Sequence, residues 1–330
     1  MSRRAGGLAL IVAGLALVLL LSISVGARPI PVDRVWDLVW SPDASDDAII
    51  VHDLRIPRTI LGVIVGAALG VGGALMQALT RNPLADPGLL GVNAGAAAAV
   101  VTATAVLGVV SPLVYVWFAF LGAGVASVIV YGVGAAGRSG ATPVRLALAG
   151  TAVSFALIAY VQGLTIIDRE TLDQYRFWQV GALAGHPASL SGQIAPFIAI
   201  GLLLAFALGR PLNAIGLGDE AGRALGASPA RTRVLGAVAI MLLCGAGTAA
   251  AGPIAFIGLT VPHVARAITG PDQRWVLPYS ALLAPVLLLG SDVVGRVVNR
   301  PGELEVGIVS ALIGGPVFIA IVRRRRIAQL

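Results

Sequence analysis

The chain has no lysine: all 23 of its basic side chains are arginine. That absence excludes the phosphate loop of ATP-hydrolysing domains, whose lysine reaches the β- and γ-phosphates. Any ATP-driven step must therefore be carried by another polypeptide. Charge of either sign is scarce, at 12% of residues against about 25% in ordinary globular domains. Cysteine is reduced to Cys244, which rules out an intrachain disulfide and, inside an apolar run, reads as a small core residue. The three histidines, His52, His186 and His263, are too far apart for metal-ligand spacing, so no metal site of this chain alone is expected. A basic stripe interleaved with aromatics is also missing, and the net charge of +7 therefore does not indicate a nucleic-acid partner.

What fills the chain is apolar: 57% of the 330 residues are hydrophobic and the mean hydropathy is +0.91. Runs of about 20 apolar residues, enough to cross a bilayer as helix, recur from end to end. Ten candidate spans follow: 7–26, 59–79, 88–110, 113–135, 144–167, 190–209, 233–252, 254–268, 276–295 and 304–322, the eighth short and interrupted by Pro262. The expected fold is all-α and polytopic, one transmembrane domain over residues 1–330. The first span, preceded by Arg3 and Arg4, also resembles a secretory signal ending at Val25-Gly26-Ala27. Its apolar stretch exceeds the usual 7 to 15 residues, so it is expected as a retained helix.

With ten spans and an inner N-terminus, about 15 of the 23 arginines fall inside, as the positive-inside rule requires. They are Arg3, Arg4, Arg81, Arg138, Arg145, Arg210, Arg223, Arg231, Arg233, Arg266, Arg274 and the run Arg323 to Arg326, which reads as a cytoplasmic stop and lipid-headgroup anchor. Both termini are thus expected in the cytoplasm. Lipid gives helices little hydrophobic drive to associate, so small residues that permit close backbone approach supply much of the contact. Gly62, Gly66 and Gly70, four apart, line one helix face of that kind.

The longest inner loop, 210–233, carries helix signals. Asp219 is placed to cap a short helix with Glu220 in its first turn, Gly226 to end it, and Ser228-Pro229 to start the next. Such a helix suits docking into a partner's cleft; an ordinary solvated loop is the alternative. At this point the sequence resembles a known family. Gly218, Asp219, Glu220, Ala221, Gly222, Arg223, Ala224, Leu225 and Gly226 are similar to the coupling loop of FecCD-type permeases, the cobalamin and ferric-siderophore importers of the ATP-binding-cassette superfamily. Further matches follow in order: Asp53 to Arg58, Gln77 to Gly91, Phe177 to Gly185, Gly252 to Arg266 and Glu303 to Gly307. They cover nearly the whole chain from about residue 50 onward.

The resemblance implies a permease that pairs with a second permease subunit, the same chain or a paralogue, above two cytoplasmic ATPase subunits and below an extracytoplasmic substrate-binding protein. It implies no cofactor on this chain, ATP and Mg belonging to the ATPases, and no enzymatic activity here. Arg55, Arg58 and Arg296 are the implied docking residues for the binding protein, since guanidinium stays charged and grips carboxylates bidentately; snorkelling to lipid headgroups is the other reading. Asp292 is placed to pair with Arg296 one helix turn on, either holding it ready or neutralising it. Ser154, Gln162, Thr165 and Ser310 are the implied lining of the path, with the stretch from Asp168 to Arg176. Gln77 and Asn93 are expected to bond between helices. Glu305 stands where many relatives have proline, and the Asp-rich segment 41–53 reads as an outer surface loop. Ferric siderophore leads over cobalamin or haem by family frequency. An ion-coupled carrier would need buried ionisable relays, and a membrane enzyme a polar cluster at one interface; neither pattern is present.

Overall fold

The computed structural model describes residues 3–109, 111–136 and 142–323. Arg138 and the run Arg324 to Arg326, counted above on the inner side, lie outside the described residues. The helices are α1 (Arg3–Ser24), α2 (Val32–Trp40), α3 (Asp46–Ile49), α4 (Ile56–Thr80), α5 (Val92–Leu107), α6 (Pro112–Ala135), α7 (Pro143–Ile167), α8 (Arg169–Val180), α9 (Ser189–Ala207), α10 (Gly209–Gly216), α11 (Asp219–Ala224), α12 (Pro229–Ala251), α13 (Ile257–Thr269), α14 (Gln273–Val298) and α15 (Val306–Arg323). No strand occurs among the described residues. The all-α membrane architecture follows, because helices satisfy their backbone groups internally in lipid.

Each expected span overlaps one of these helices: α1, α4, α5, α6, α7, α9, α12, α13, α14 and α15. Seven are long and apolar enough to cross alone; the apolar parts of α5 and α15 are shorter. The 13 residues of α13 reach only about 20 Å, short of a hydrocarbon core of about 30 Å. The Asp-rich segment 41–53 is not a surface loop throughout. Residues 46–49 are helical, and a π-helical turn, Ile50–Arg55, runs straight into α4.

The interruption expected at Pro262 lies earlier. α13 passes through Pro262, and the non-helical stretch is 252–256, where Gly252 and Phe256 take φ of +71° and +67°. Pro262 still leaves its mark: it has no N–H for the carbonyl of Gly258. The Gln77 side-chain amide lies 3.5 Å from that oxygen and donates to the carbonyl of Leu259 at 3.1 Å. Gln77 therefore bonds between helices as expected, and so does Asn93, which accepts from Thr248 at 3.0 Å.

α4 is the central helix, packed by α9, α12, α13 and α14. Its glycine stripe faces α14, where a Cβ at Gly66 would stand 2.7 Å from Cα of Pro285. A Cβ at Gly73 would meet the Gly258 carbonyl at 1.9 Å, and one at Gly72 the Cys244 sulfur at 2.2 Å. The lone cysteine is thus a buried packing residue filling a glycine notch. Successive spans alternate in direction, so Arg4, Arg81, Asp219, Arg233 and Asp272 gather at one end of the bundle. Gly26, Arg55, Arg58, Asp292 and Glu303 gather at the other.

Candidate functional sites at the two ends of the bundle

At the first end, α10 and α11 form a small projecting pair between α9 and α12. α11 starts at Gly218 (φ +114°), which is its N-cap; Asp219 is its first residue and makes no cap bond, unlike the expectation. The aspartate is occupied elsewhere. Arg233 on α12 donates to both its carboxylate oxygens at 2.8 Å, and Arg81, the left-handed residue ending α4, pairs with it too. Partial burial works to raise the Asp219 pKa, but the Arg233 and Arg81 hydrogen bonds outweigh it and leave the carboxyl below its ordinary value. One carboxylate thus ties α11 to the ends of two spans.

The rest of the segment follows the sequence signals. Gly226 takes φ +81° and its N–H donates to Arg223, while the Ser228 side chain caps α12 with Pro229 at its first position. Gly222 is buried against Ala214 and Ile215 of α10, where a Cβ would sit at 3.3 Å. Glu220, Ala221, Arg223, Ala224 and Leu225 are exposed, with Leu225 at 65% and Leu217 beside it at 71%. α11 thus presents an exposed outer face of mixed polar and apolar residues on a helix tied to two spans.

At the other end the three arginines expected to face a partner separate into two kinds. Arg296 is 1% exposed. It bonds Asp292 through Nε at 2.9 Å and through a second nitrogen, and donates to the Ser22 and Val25 carbonyls that end α1. Arg55 is 4% exposed and bonds the carbonyls of Ile23, Ser24 and Arg28. Both cap the C-terminal end of α1, whose last carbonyls have no helical donors; neither presents a free fork outward. Arg58 takes carboxylates instead, gripping Asp292 at 2.7 Å and Glu303 at 2.6 Å, and all three arginines border an outer cleft. That cleft, about 320 Å³, is also lined by Arg28, Asp53 and His186. Burial, with the Arg58 charge as a smaller contribution, holds the His186 imidazole below its usual pKa.

Sequence reasoning paired Asp292 with Arg296, which the structure bears out, but missed that the same carboxylate holds Arg58 from α4. The available signal was a carboxylate in an apolar span, which is costly unless paired. Between the ends, the expected path residues fall in different settings. Gln162 is exposed on the face of α7 that also carries Phe155, Ile158 and Ile166. Ser154 is half-buried; Thr165 turns its hydroxyl back to Val161 and Gln162; Ser310 is fully buried and bonds the Gly307 carbonyl. Asp168 caps α8 by accepting from Glu170 and Thr171.

The chain is 47% identical over 322 residues to the ferric enterobactin transport system permease of Escherichia coli strain K12, covering 96% of each. It is 41% identical over 330 residues to an iron(3+)-hydroxamate import system permease of Bacillus subtilis strain 168, covering 98% of this chain and 85% of that one. A hemin transport permease of Yersinia pestis is 37% identical over 316 residues, covering 92% and 91%. Among solved structures, an inward-facing conformation of a putative metal-chelate type ABC transporter shares the fold, with a TM-score of 0.83 at 24% identity over 95% of this chain and 97% of that one. The model of the FecCD transport family matches residues 14–324, and the chain belongs to that family.

Proposed function

We propose that this chain is the membrane-spanning permease subunit of an ATP-binding-cassette importer that carries ferric siderophores inward across the cytoplasmic membrane. The observation that carries the reading is the tethered α11: an exposed Glu220, Arg223 and Leu225 face bound through Asp219 to α4 and α12. A partner ATPase pressing on that face moves two central spans with it. With no lysine for a phosphate loop, hydrolysis and its Mg belong to that partner. The exposed α7 face around Gln162 and the outer faces of α15 are sides of a path that a second permease subunit, identical or paralogous, closes. An apolar lining with few charges lets a large chelate pass without being held. The cleft at Arg58 and Glu303 faces the extracytoplasmic binding protein, with both termini in the cytoplasm. The cargo class comes from relatives named for ferric enterobactin and iron(3+)-hydroxamate.

The test deletes the gene, offers radiolabelled iron as several ferric siderophores with labelled cobalamin and haem in parallel, and restores either the wild type or a D219A/E220A double variant. Loss of iron-chelate uptake rescued only by the wild type is the expected result. Loss confined to haem or cobalamin keeps the transport mechanism and replaces the cargo.

A further inference from the structure

At the α11 end of the bundle, Arg266 near the C-terminus of α13 is 2% exposed. One of its nitrogens donates to Gln77, but Nε and Nη1 have no hydrogen-bond partner among the described residues. Leaving guanidinium N–H groups buried and unpaired is costly. No carboxylate among the described residues pairs with Arg266 or with Arg4. Arg4, on α1, stands 5.3 Å over the Trp275 ring and donates to the Thr269 carbonyl at 3.1 Å. Arg4, Arg266 and Trp275 line one groove of about 850 Å³.

The groove does not end at the charged groups. Through Ala267 and Ile268 it continues into a furrow of about 530 Å³ between α1 and α14, walled by Leu10, Leu283 and Val286 and floored by glycines of α1. At Gly6 and Gly14 an added Cβ would meet nothing within 4 Å, so the furrow has room along α1. Arg4, the buried and under-bonded Arg266, Trp275 and an adjoining apolar furrow form a complementary set. The cations match a phosphate, the tryptophan matches the headgroup level, and the furrow matches an acyl chain.

The geometry points to a binding site for one anionic phospholipid, its phosphate between Arg4 and Arg266 and one acyl chain in the α1–α14 furrow. Free phosphate would satisfy the cations and leave the furrow unused. A lipid fills both, and by bridging α1 to α13 and α14 it fastens the peripheral first helix to the core.

The experiment extracts the full chain with its assembly into detergent and measures, by native mass spectrometry, retention of phosphatidylglycerol and phosphatidylcholine with identical acyl chains. The wild type is expected to retain one phosphatidylglycerol with about tenfold preference. R4A and R266Q each reduce that preference, and together they abolish it. G14L, which fills the furrow, weakens retention of both lipids while leaving the guanidiniums intact. R231A, an exposed arginine outside the groove, changes nothing. Should R266Q fail to fold, R4A and G14L carry the test. Equal retention of the two lipids by the wild type, unchanged preference in R4A, or full displacement of the lipid by inorganic phosphate overturns the proposal.

Discussion

Asp292 has no exposed surface, and two arginines from different helices converge on it: Arg296 from its own helix and Arg58 from α4. Removing one partner of a buried ion pair strands the other and costs about 3–5 kcal/mol, whereas replacing all partners with apolar groups costs far less. D292A is therefore expected to destabilise the protein by about 3–5 kcal/mol and to loosen the C-terminal end of α1, which Arg296 holds. D292L combined with R296M and R58M is expected to recover much of that loss. Thermal unfolding in detergent, read by aggregation-sensitive scattering, checks both; a D292A melting point equal to wild type would show that the arginines find other acceptors.

At the scale of elements, the contact that organises the bundle is backbone against backbone. α4 meets α13 through Gly73 and Gly258, where one added methyl would have to share space with a carbonyl oxygen at 1.9 Å. Neither partner there is a flexible side-chain end, so the helices themselves must separate. G73A is expected to lose about 1–3 kcal/mol or more through overpacking and to break the Gln77 bond to the Leu259 carbonyl. G132A on α6, where a Cβ meets nothing within 4 Å, is expected to be neutral or to gain up to about 1 kcal/mol from helix propensity. Folded yield and melting temperature of the pair measure the difference, and equal behaviour would mean that α4 and α13 are less tightly apposed than described.

For the whole molecule, the alternation of ten spans places the starts of α1 and α11 and the end of α15 at one end of the bundle. The inner placement of that end rests on the arginine bias. Because Cys244 is 1% exposed and seated against Gly72, single added cysteines can be read without removing it. In intact cells a membrane-impermeant maleimide is expected to label A44C, beside α3, and to reach L225C, just after α11, only after permeabilisation. The reverse pattern would invert the protein and remove α11 from any cytoplasmic partner.

Sequence alone determined the solvent, the membrane spans and the family, because each is written in local pattern. Twenty-residue apolar runs mark spans wherever they occur, Ser228-Pro229 and Gly226 punctuate the chain by backbone geometry, and the absence of lysine excludes a phosphate loop without reference to shape. The four-residue glycine stripe of α4 was equally legible, though not its partner. Tertiary structure decided which partner each charge takes. Arg55, Arg58 and Arg296 look alike in sequence, as outer-end arginines of apolar helices. Only the approach of α1, whose terminal carbonyls lack donors, tied Arg55 and Arg296 to that helix end, while Arg58 grips Asp292 and Glu303. Asp219 likewise carries a capping signal, and the convergence of α4 and α12 gave its carboxylate two guanidiniums instead. A helix signal depends on neighbours within a turn, while the partner of a long, charged side chain depends on which distant segment folding brings within about 3 Å.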